Sequence, residues 1–346
     1  MRDVANAANV SLSTVSAVLS GKKYVSPRLS ARVKGAIQLL GYDQCAGAAQ
    51  PQSEGLNDVG LILPGIYSSY FQPLLSGIED VAAAESYNVI LCDSDRKWEK
   101  ENLLLKRLVD RGVKNLILDS VCSAKNETSY YEDVLLPLVR ERDIVLWMLS
   151  RESRYDEIGS VSIDHRETAR QVTQYLIDMG HGHIAHISGS PKFAHSAYRV
   201  QGYREALMEN GIPFDERLVL EGDFTPISGY ATMSDLLSKG IHVSAVFSAN
   251  DQMAIGAMKA ILRNGLRIPE DIAVVGFDNL NVASLVTPGL TTVQYPIYQT
   301  GYCAMRAIVD MRHGKSVDMR RKLNTRLIVR RSSDPTQIDD WELNKW

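Results

Sequence analysis

From residue 59 nearly to the end of the chain, short apolar runs alternate with amphipathic stretches, and this alternation limits the possible folds more than any other feature. Val59-Gly60-Leu61-Ile62-Leu63-Pro64 is a continuous apolar run ended by proline and glycine, as expected of a strand buried on both faces. A helix is predicted at about 70–86, and Asn88-Val89-Ile90-Leu91-Cys92-Asp93 then repeats the strand pattern. Further segments read as helix 98–111, strand 115–119, helix 132–142 and strand 144–149. A second set follows 160–164: helix 168–179, strand 183–188, helix 197–210, strand 218–221, helix 229–238, strand 245–248, helix 253–264 and strand 272–277. Strict βαβα order implies parallel sheets with helices on both faces, here in two doubly wound halves.

Open parallel sheets bind ligands beyond the carboxyl ends of their strands, and two such halves facing one another make a cleft. The residues just past the strands are therefore the candidates: 67–71 with Tyr70 and Phe71, Ser150 and Arg151, Phe224, Asn250 and Asp251, Asp278 and Asn279. Aromatic faces, amides and carboxylates suit a small molecule rich in hydroxyls or ring nitrogens. No glycine-rich phosphate loop precedes any of the helices, so a bare phosphate fits poorly.

The first forty residues have a different character. Within 1–41, Arg2, Lys22, Lys23, Arg28, Arg32 and Lys34 face the single acid Asp3. Val4-Ala5-Asn6-Ala7-Ala8 reads as a first helix, Asn9 as a tight turn, and the stretch from Ser11 to Leu19 as a second helix. Ala5, Ala7 and Ala8 let the two helices cross closely, and Val10, Val15, Val18 and Leu19 supply the buried side. A second helix beginning Ser11-Leu12-Ser13-Thr14-Val15-Ser16 can enter a DNA major groove. The bland alternative for the alanine-rich stretch is a helical hairpin that touches no DNA; the local positive charge favours DNA.

At 346 residues the chain has room for two or three domains with substantial cores. Its formal charge of −3 confines any nucleic-acid affinity to the basic N-terminal segment. Cys45, Cys92, Cys122 and Cys303 have no metal-site or disulfide-framework spacing, and no apolar run approaches membrane-spanning length. A cytoplasmic protein is expected, with no membrane partner and no cofactor.

The blocks Val10-Ser11-Leu12-Ser13-Thr14-Val15-Ser16, Gly180-His181-Gly182-His183-Ile184-Ala185, Gly202-Tyr203-Arg204-Glu205-Ala206-Leu207 and Ala249-Asn250-Asp251-Gln252-Met253-Ala254 closely resemble the lactose/galactose repressor (LacI/GalR) family. So do Pro269-Glu270-Asp271-Ile272-Ala273-Val274-Val275-Gly276-Phe277-Asp278 and Pro288-Gly289-Leu290-Thr291-Thr292-Val293. The resemblance covers almost the whole chain. It implies a homodimeric, effector-controlled transcriptional regulator, most plausibly a repressor, that binds double-stranded operator DNA. It also implies an all-α helix-turn-helix headpiece (1–42), a hinge (43–57) and a periplasmic-binding-protein-like α/β core. One core subdomain is expected at 58–162 with 293–322, the other at 163–292 with 323–334, followed by a tail at 335–346.

The same resemblance assigns Ser11, Leu12, Ser13, Thr14 and Ser16 to the DNA-reading helix, and Tyr24, Ser26 and Arg28 to phosphates. In the cleft it implies ligand contacts from Tyr70, Phe71, Ser150, Arg199, Phe224, Asn250, Asp278 and Tyr295. The effector is expected to be a sugar or sugar derivative, with a nucleobase as the alternative. Arg199 and Asp278 can grip vicinal hydroxyls from two directions by charge-assisted hydrogen bonds. Helix capping is the alternative for Asn250 and the favoured reading of Asp251; core packing is the alternative for Phe71 and Phe224.

Several features depart from the family. Relatives carry a few more residues ahead of the first helix, so either the start lies upstream or that helix lacks its N-cap. Ala17 replaces an arginine that reaches a base edge in many relatives. The hinge has Ala49 and Pro51 where relatives carry the arginine and the minor-groove leucine. A small-molecule-binding protein with impaired operator binding is therefore the second reading, and an enzyme the third. His181, His183 and His186 do not share one strand face, so no metal is expected. Ser188, Ser190 and His195 lack a nucleophile elbow, so no catalytic residue is expected.

Overall fold

The computed structural model describes residues 2–20, 24–40 and 57–338. The expectations for Lys22 and Lys23, for the hinge residues Ala49 and Pro51, for Cys45, and for the tail from 339 to 346 lie outside them. The chain divides into two compact units, Met1–Glu54 and Gly55–Trp346.

In the first unit, helices α1 (Arg2–Ala7), α2 (Leu12–Ser20) and α3 (Pro27–Leu39) enclose Val4, Ala5, Ala8, Val15, Val33, Ala36 and Ile37. Val10 and Val18 are partly buried against this core. The turn between α1 and α2 falls at Asn9, whose φ of 47° is a left-handed value that asparagine tolerates. Arg32 pins the turn by donating to the carbonyls of Ala8 (2.8 Å) and Asn9 (3.3 Å). Sequence reading found α1 and α2 but not α3, which opens with Pro27 at a position where a missing N–H is harmless.

The second unit begins with β1 (Asp58–Leu63), α4 (Phe71–Ala84), β2 (Asn88–Asp93), α5 (Trp98–Asp110) and β3 (Asn115–Leu118). Helices α6 (Glu127–Tyr130) and α7 (Leu136–Arg142) precede β4 (Val145–Leu149) and β5 (Gly159–Ser162). Then come α8 (His165–Asp178), β6 (Ile184–Ser188), α9 (Ala194–Glu209), β7 (Val219–Glu221), α10 (Pro226–Ser238) and β8 (Ala245–Ser248). The chain ends its regular structure with α11 (Asp251–Arg263), β9 (Ala273–Val275), α12 (Val282–Leu285), β10 (Thr292–Gln294), α13 (Ile297–Arg312), β11 (Arg320–Lys322) and β12 (Arg326–Ile328).

The strands form two parallel sheets, one ordered β11-β5-β4-β3-β1-β2 and the other β7-β6-β8-β9. Around each sheet lies one lobe. The chain leaves the first sheet after β5 and builds the second lobe. It then runs through β10 into α13, which packs on α4 and β4. After adding β11 to the first sheet's edge it turns to β12, which pairs antiparallel with β10. No described helix is long and apolar enough to cross a membrane.

Several predicted boundaries need correction. Helix α8 starts at His165, not 168, because the Asp164 carboxylate accepts from the Glu167 N–H at 2.9 Å and caps it. Helix α10 starts at Pro226, not 229, capped by Thr225 through the Ser228 N–H at 3.2 Å, and α9 begins at Ala194 instead of 197. The single helix expected at 132–142 is broken by a π turn, Tyr131–Leu135. Pro137 has no N–H to offer the carbonyl four residues earlier, and the helix widens there.

Several helix crossings are close enough to require glycine, the α4–α13 and α8–α9 crossings among them. A Cβ on Gly77 of α4 would stand 2.1 Å from the Tyr298 carbonyl of α13, and one on Gly202 of α9 would stand 2.0 Å from the Arg166 carbonyl of α8. Both neighbours are backbone and cannot swing away. Gly77→Ala is expected to cost about 1–3 kcal/mol through overpacking, read as a lower thermal melting temperature; an unchanged melting temperature would contradict the close α4–α13 crossing.

Candidate functional site

The ends of the strands from both sheets converge on one cleft. Tyr70 and Phe71 follow β1, Arg96 follows β2, Asp119 and Ser120 follow β3, and Ser150 follows β4. From the other lobe come His165 at the start of α8, Phe193, His195 and Arg199 around α9, Phe224 after β7, Asn250 after β8 and Asp278 after β9. Tyr295 closes the ring from the end of β10. All eight residues expected to meet a ligand lie in this lining.

Three of them sit in backbone conformations that side chains seldom adopt: Ser150 at φ 61°, Phe224 at φ 68° and Asp278 at φ 113°. Each strand end turns sharply there and aims its side chain back into the cleft. Such strain persists only where surrounding contacts impose it, and it clusters at functional sites.

Arg199 is the buried centre, 5% exposed. Its guanidinium lies 3.6 Å over the Phe277 ring and donates to the Ala249 carbonyl. It also meets His165 Nδ1 at 3.4 Å. Since arginine can only donate, this Nδ1 accepts, and the His165 proton sits on Nε2, which donates to the Ser150 carbonyl at 3.3 Å. Arg199, His165 and Ser150 thus form a polar chain from one lobe to the other. Burial first, then the charge of Arg199 and the neighbouring His195, push the His165 imidazole well below its usual range. It is neutral, as this chain of bonds requires.

Asp278 is 7% exposed and lies across from this chain. Burial drives its carboxyl well above the usual carboxylate range, Asp251 pushes it the same way, and Arg199 opposes both. On the opposite lobe, Asp119 is pushed up to about 7, chiefly by burial. Two carboxyls therefore face the cleft from opposing lobes, each pushed by burial toward its protonated, hydrogen-bond-donating form.

Aromatic rings wall both sides. Tyr70 meets Phe71 and Tyr295 edge-on with centroids 5.0 and 5.7 Å apart, while Phe193 lies 5.8 Å from Phe224 and stacks with His195 at 5.6 Å. Gly189 lets the Phe224 ring approach, since a Cβ there would fall 2.0 Å from the ring. Phe71 and Phe224 are only partly buried, so they line the cleft and pack at its edge together.

A buried network holds the floor. Glu101 accepts hydrogen bonds from Ser120 Oγ, the Val121 N–H and Tyr130 OH, each at 2.7 Å. Arg151 donates to the carbonyls of Ser120 (3.0 Å) and Cys122 (2.9 Å). Together they fix the segment that presents Asp119. Further contacts join the lobes around the rim: Arg96 donates to the Asp223 carbonyl at 2.7 Å, and Ser123 bridges Phe193 backbone to backbone.

Asn250 lines the cleft, yet its amide is already engaged: Oδ1 accepts from the Met253 N–H at 2.9 Å and Nδ2 donates to the Phe224 carbonyl at 3.1 Å. It caps α11 and braces Phe224. The capping role expected of Asp251 is incorrect. Its buried carboxylate accepts from the Leu280 N–H (2.7 Å) and Thr292 Oγ1 (2.5 Å), tying the segment after β9 to β10. Sequence reading passed over Asp119, His165, Phe193 and His195. Asp119 had a usable signal, since it ends a predicted strand; His165 was hidden by a helix start placed three residues late, and His195 was weighed only as a catalytic base.

In the N-terminal unit, Ser11 caps α2 by accepting from the Thr14 N–H at 3.2 Å, and its hydroxyl lies 2.8 Å from those of Ser13 and Thr14. Leu12, Ser13 and Ser16 are exposed along α2, and Thr14 partly so. Tyr24 and Arg28 are exposed before and within α3, and Ser26 is half-buried. His183 and His186 do separate: His186 is buried and bonded through Nδ1 to the Phe247 carbonyl (2.9 Å), whereas His183 is exposed beside His242.

Folding takes up a proton at Asp119, because its folded value of about 7 lies above the ordinary 3.8. The fold therefore loses stability as pH rises through that window. Asp119→Asn is expected to raise the melting temperature at pH 8 by roughly 2–4 °C and to leave it nearly unchanged at pH 4; an equal shift at both would show that folding leaves the Asp119 pKa where it is in the unfolded chain.

The sequence pattern of bacterial regulatory proteins of the lacI family matches residues 1–44, and that of periplasmic binding protein-like domains matches residues 173–333. Catabolite control protein A of Priestia megaterium is 35% identical over 317 residues, 91% of this chain and 93% of its own. Among solved structures, the cellobiose complex of the transcriptional regulator CelR superposes with a TM-score of 0.71 at 32% identity, covering 96% of this chain and 98% of that one. The lac repressor dimer bound to operator and the anti-inducer ONPF gives a TM-score of 0.71 at 26% identity, with the same coverage.

Proposed function

Because the chain belongs to the lacI family of bacterial regulatory proteins, we propose that it is a homodimeric repressor that reads operator DNA through α2 and answers to a sugar-like effector in its cleft. The observation that carries the effector half is that Arg199 and Asp278 line one cleft together, both nearly buried and walled by aromatic rings. Buried polar groups are costly unless something satisfies them, and vicinal hydroxyls suit a guanidinium and a carboxyl at once. Tyr70, Phe71 and Phe224 offer flat faces to a ring, and Ser150 and Tyr295 offer hydroxyls. The CelR structure contains cellobiose, which supports a sugar over a nucleobase.

On the DNA side, the exposed Leu12, Ser13 and Ser16, with Thr14, read base edges, and Ser11 sets the start of their helix. Tyr24, Ser26 and Arg28 contact phosphates. The core subdomains comprise 58–162 with 293–322 and 163–292 with 323–334. Closing them about an effector alters the spacing of the two heads of a dimer, and so their fit to paired half-sites. The protein acts in the cytoplasm and leaves its effector chemically unchanged.

A thermal-shift screen of sugars and nucleosides tests the effector role, since a ligand bound to the fold raises its melting temperature. Arg199→Ala and Asp278→Ala are each expected to weaken the best hit by about 10- to 100-fold; full retention in both refutes the site. Binding to promoter DNA should fall steeply with salt, and Arg28→Ala should weaken it evenly across sequences while lowering the salt slope by about one. Equal affinity for promoter and random DNA would instead favour a ligand-binding protein without operator function.

A further inference from the structure

We propose that Leu12 reads the 5-methyl group of a thymine in each half-site, so that α2 selects its DNA by apolar contact and not by paired hydrogen bonds to base edges. The inference rests on the DNA-reading role proposed for α2 and names the base which that role selects. The nine residues of α2, Leu12-Ser13-Thr14-Val15-Ser16-Ala17-Val18-Leu19-Ser20, include no charged, amide or imidazole side chain. In the major groove, guanine is distinguished by arginine or lysine, adenine by asparagine or glutamine, and the cytosine amino group by a carboxylate. The helix carries none of these readers.

Burial decides which residues of α2 can reach a partner. Val15 is fully buried, and Val18 packs against the same core. On the other side Leu12 and Ser16 lie four residues apart and Ser13 and Ser16 three apart, so these three share the exposed face. The Ser13 and Thr14 hydroxyls each lie 2.8 Å from that of Ser11, which leaves them fewer bonds to offer. A hydroxyl both donates and accepts, so a serine pairs with either kind of base edge and discriminates weakly. Ala17 is half-buried and brings only its Cβ. Leu12 remains, with its isobutyl group at the first position of the helix and 47% exposed. A single exposed leucine means little on an ordinary surface. Within a major groove its specific partner is the thymine methyl, the apolar feature displayed among the polar edges.

The test uses the full chain and a duplex that it enriches from a randomised library, rebuilt with deoxyuridine at each thymine in turn and with 7-deazaguanine at each guanine. Deoxyuridine removes only the methyl group and keeps the hydrogen-bonding edges of thymine. At one thymine of each half-site this exchange is expected to weaken binding about fourfold, and about 15-fold when both half-sites carry it. The salt slope should not change, because no phosphate contact is lost. Leu12→Ala should keep the melting temperature of the free protein and bind the thymine and uracil duplexes equally, which closes a double-mutant cycle. If no thymine shows a penalty, or if the penalty persists in Leu12→Ala, Leu12 is not the reader; the inference falls and operator binding stands. A loss on 7-deazaguanine exchange larger than any uracil loss overturns it in favour of hydrogen-bonded guanine readout from outside α2. If no sequence is enriched over random DNA, the inference and the operator function fall together.

Discussion

A single buried guanidinium organises the cleft. Arg199 leaves α9 and spends its contacts on a carbonyl at the end of β8, on the face of Phe277 at the end of β9, and on His165. Because arginine offers only donors, it dictates the His165 tautomer, and that tautomer sends its remaining proton to Ser150 on the other lobe. The position of one helix therefore determines whether His165 can bond the other lobe across the cleft. Asp278, held in a left-handed backbone turn, completes the arrangement by facing Arg199 with a carboxyl whose protonation is governed by burial.

Supporting groups behind the lining explain how it keeps its shape. Glu101 and Arg151 immobilise the segment after β3, Asp251 and Thr292 fix the one after β9, and Asn250 braces Phe224 while capping α11. None of these contacts requires an occupant. Preorganisation of this kind reduces what binding must spend on ordering side chains. The rim contacts from Arg96 to Asp223 and from Ser123 to Phe193 join the lobes in addition, so a ligand acts on an equilibrium of lobe positions that these residues already bias.

Much of the molecule was legible in its residues. Buried parallel strands such as β1 and β4 carry an unmistakable apolar run, and the residues just past their ends, Tyr70, Phe71 and Ser150, point to the cleft from the sequence alone. What escaped depended on side chains acting over long sequence distances or on backbone strain. Nothing in the local sequence says that Ser150, Phe224 and Asp278 adopt positive φ, since none is glycine. The burial of Glu101, an acid in an amphipathic helix, follows only from Tyr130 and Ser120 arriving from elsewhere. Helix starts were placed late where the cap, as at Asp164 and Thr225, preceded the apolar repeat. Pro137 could have warned of the π turn, and was overlooked because the apolar spacing around it continues.

The central claim is that neutral His165, positioned by Arg199, helps to bind one lobe to the other. Distance distributions between spin labels at Lys106 on the first lobe and Lys239 on the second measure this without any ligand, in a background whose accessible cysteines are replaced by serine. The account predicts a narrow distribution for the parent protein and a longer, broader one for His165→Ala. Superimposable distributions would contradict it.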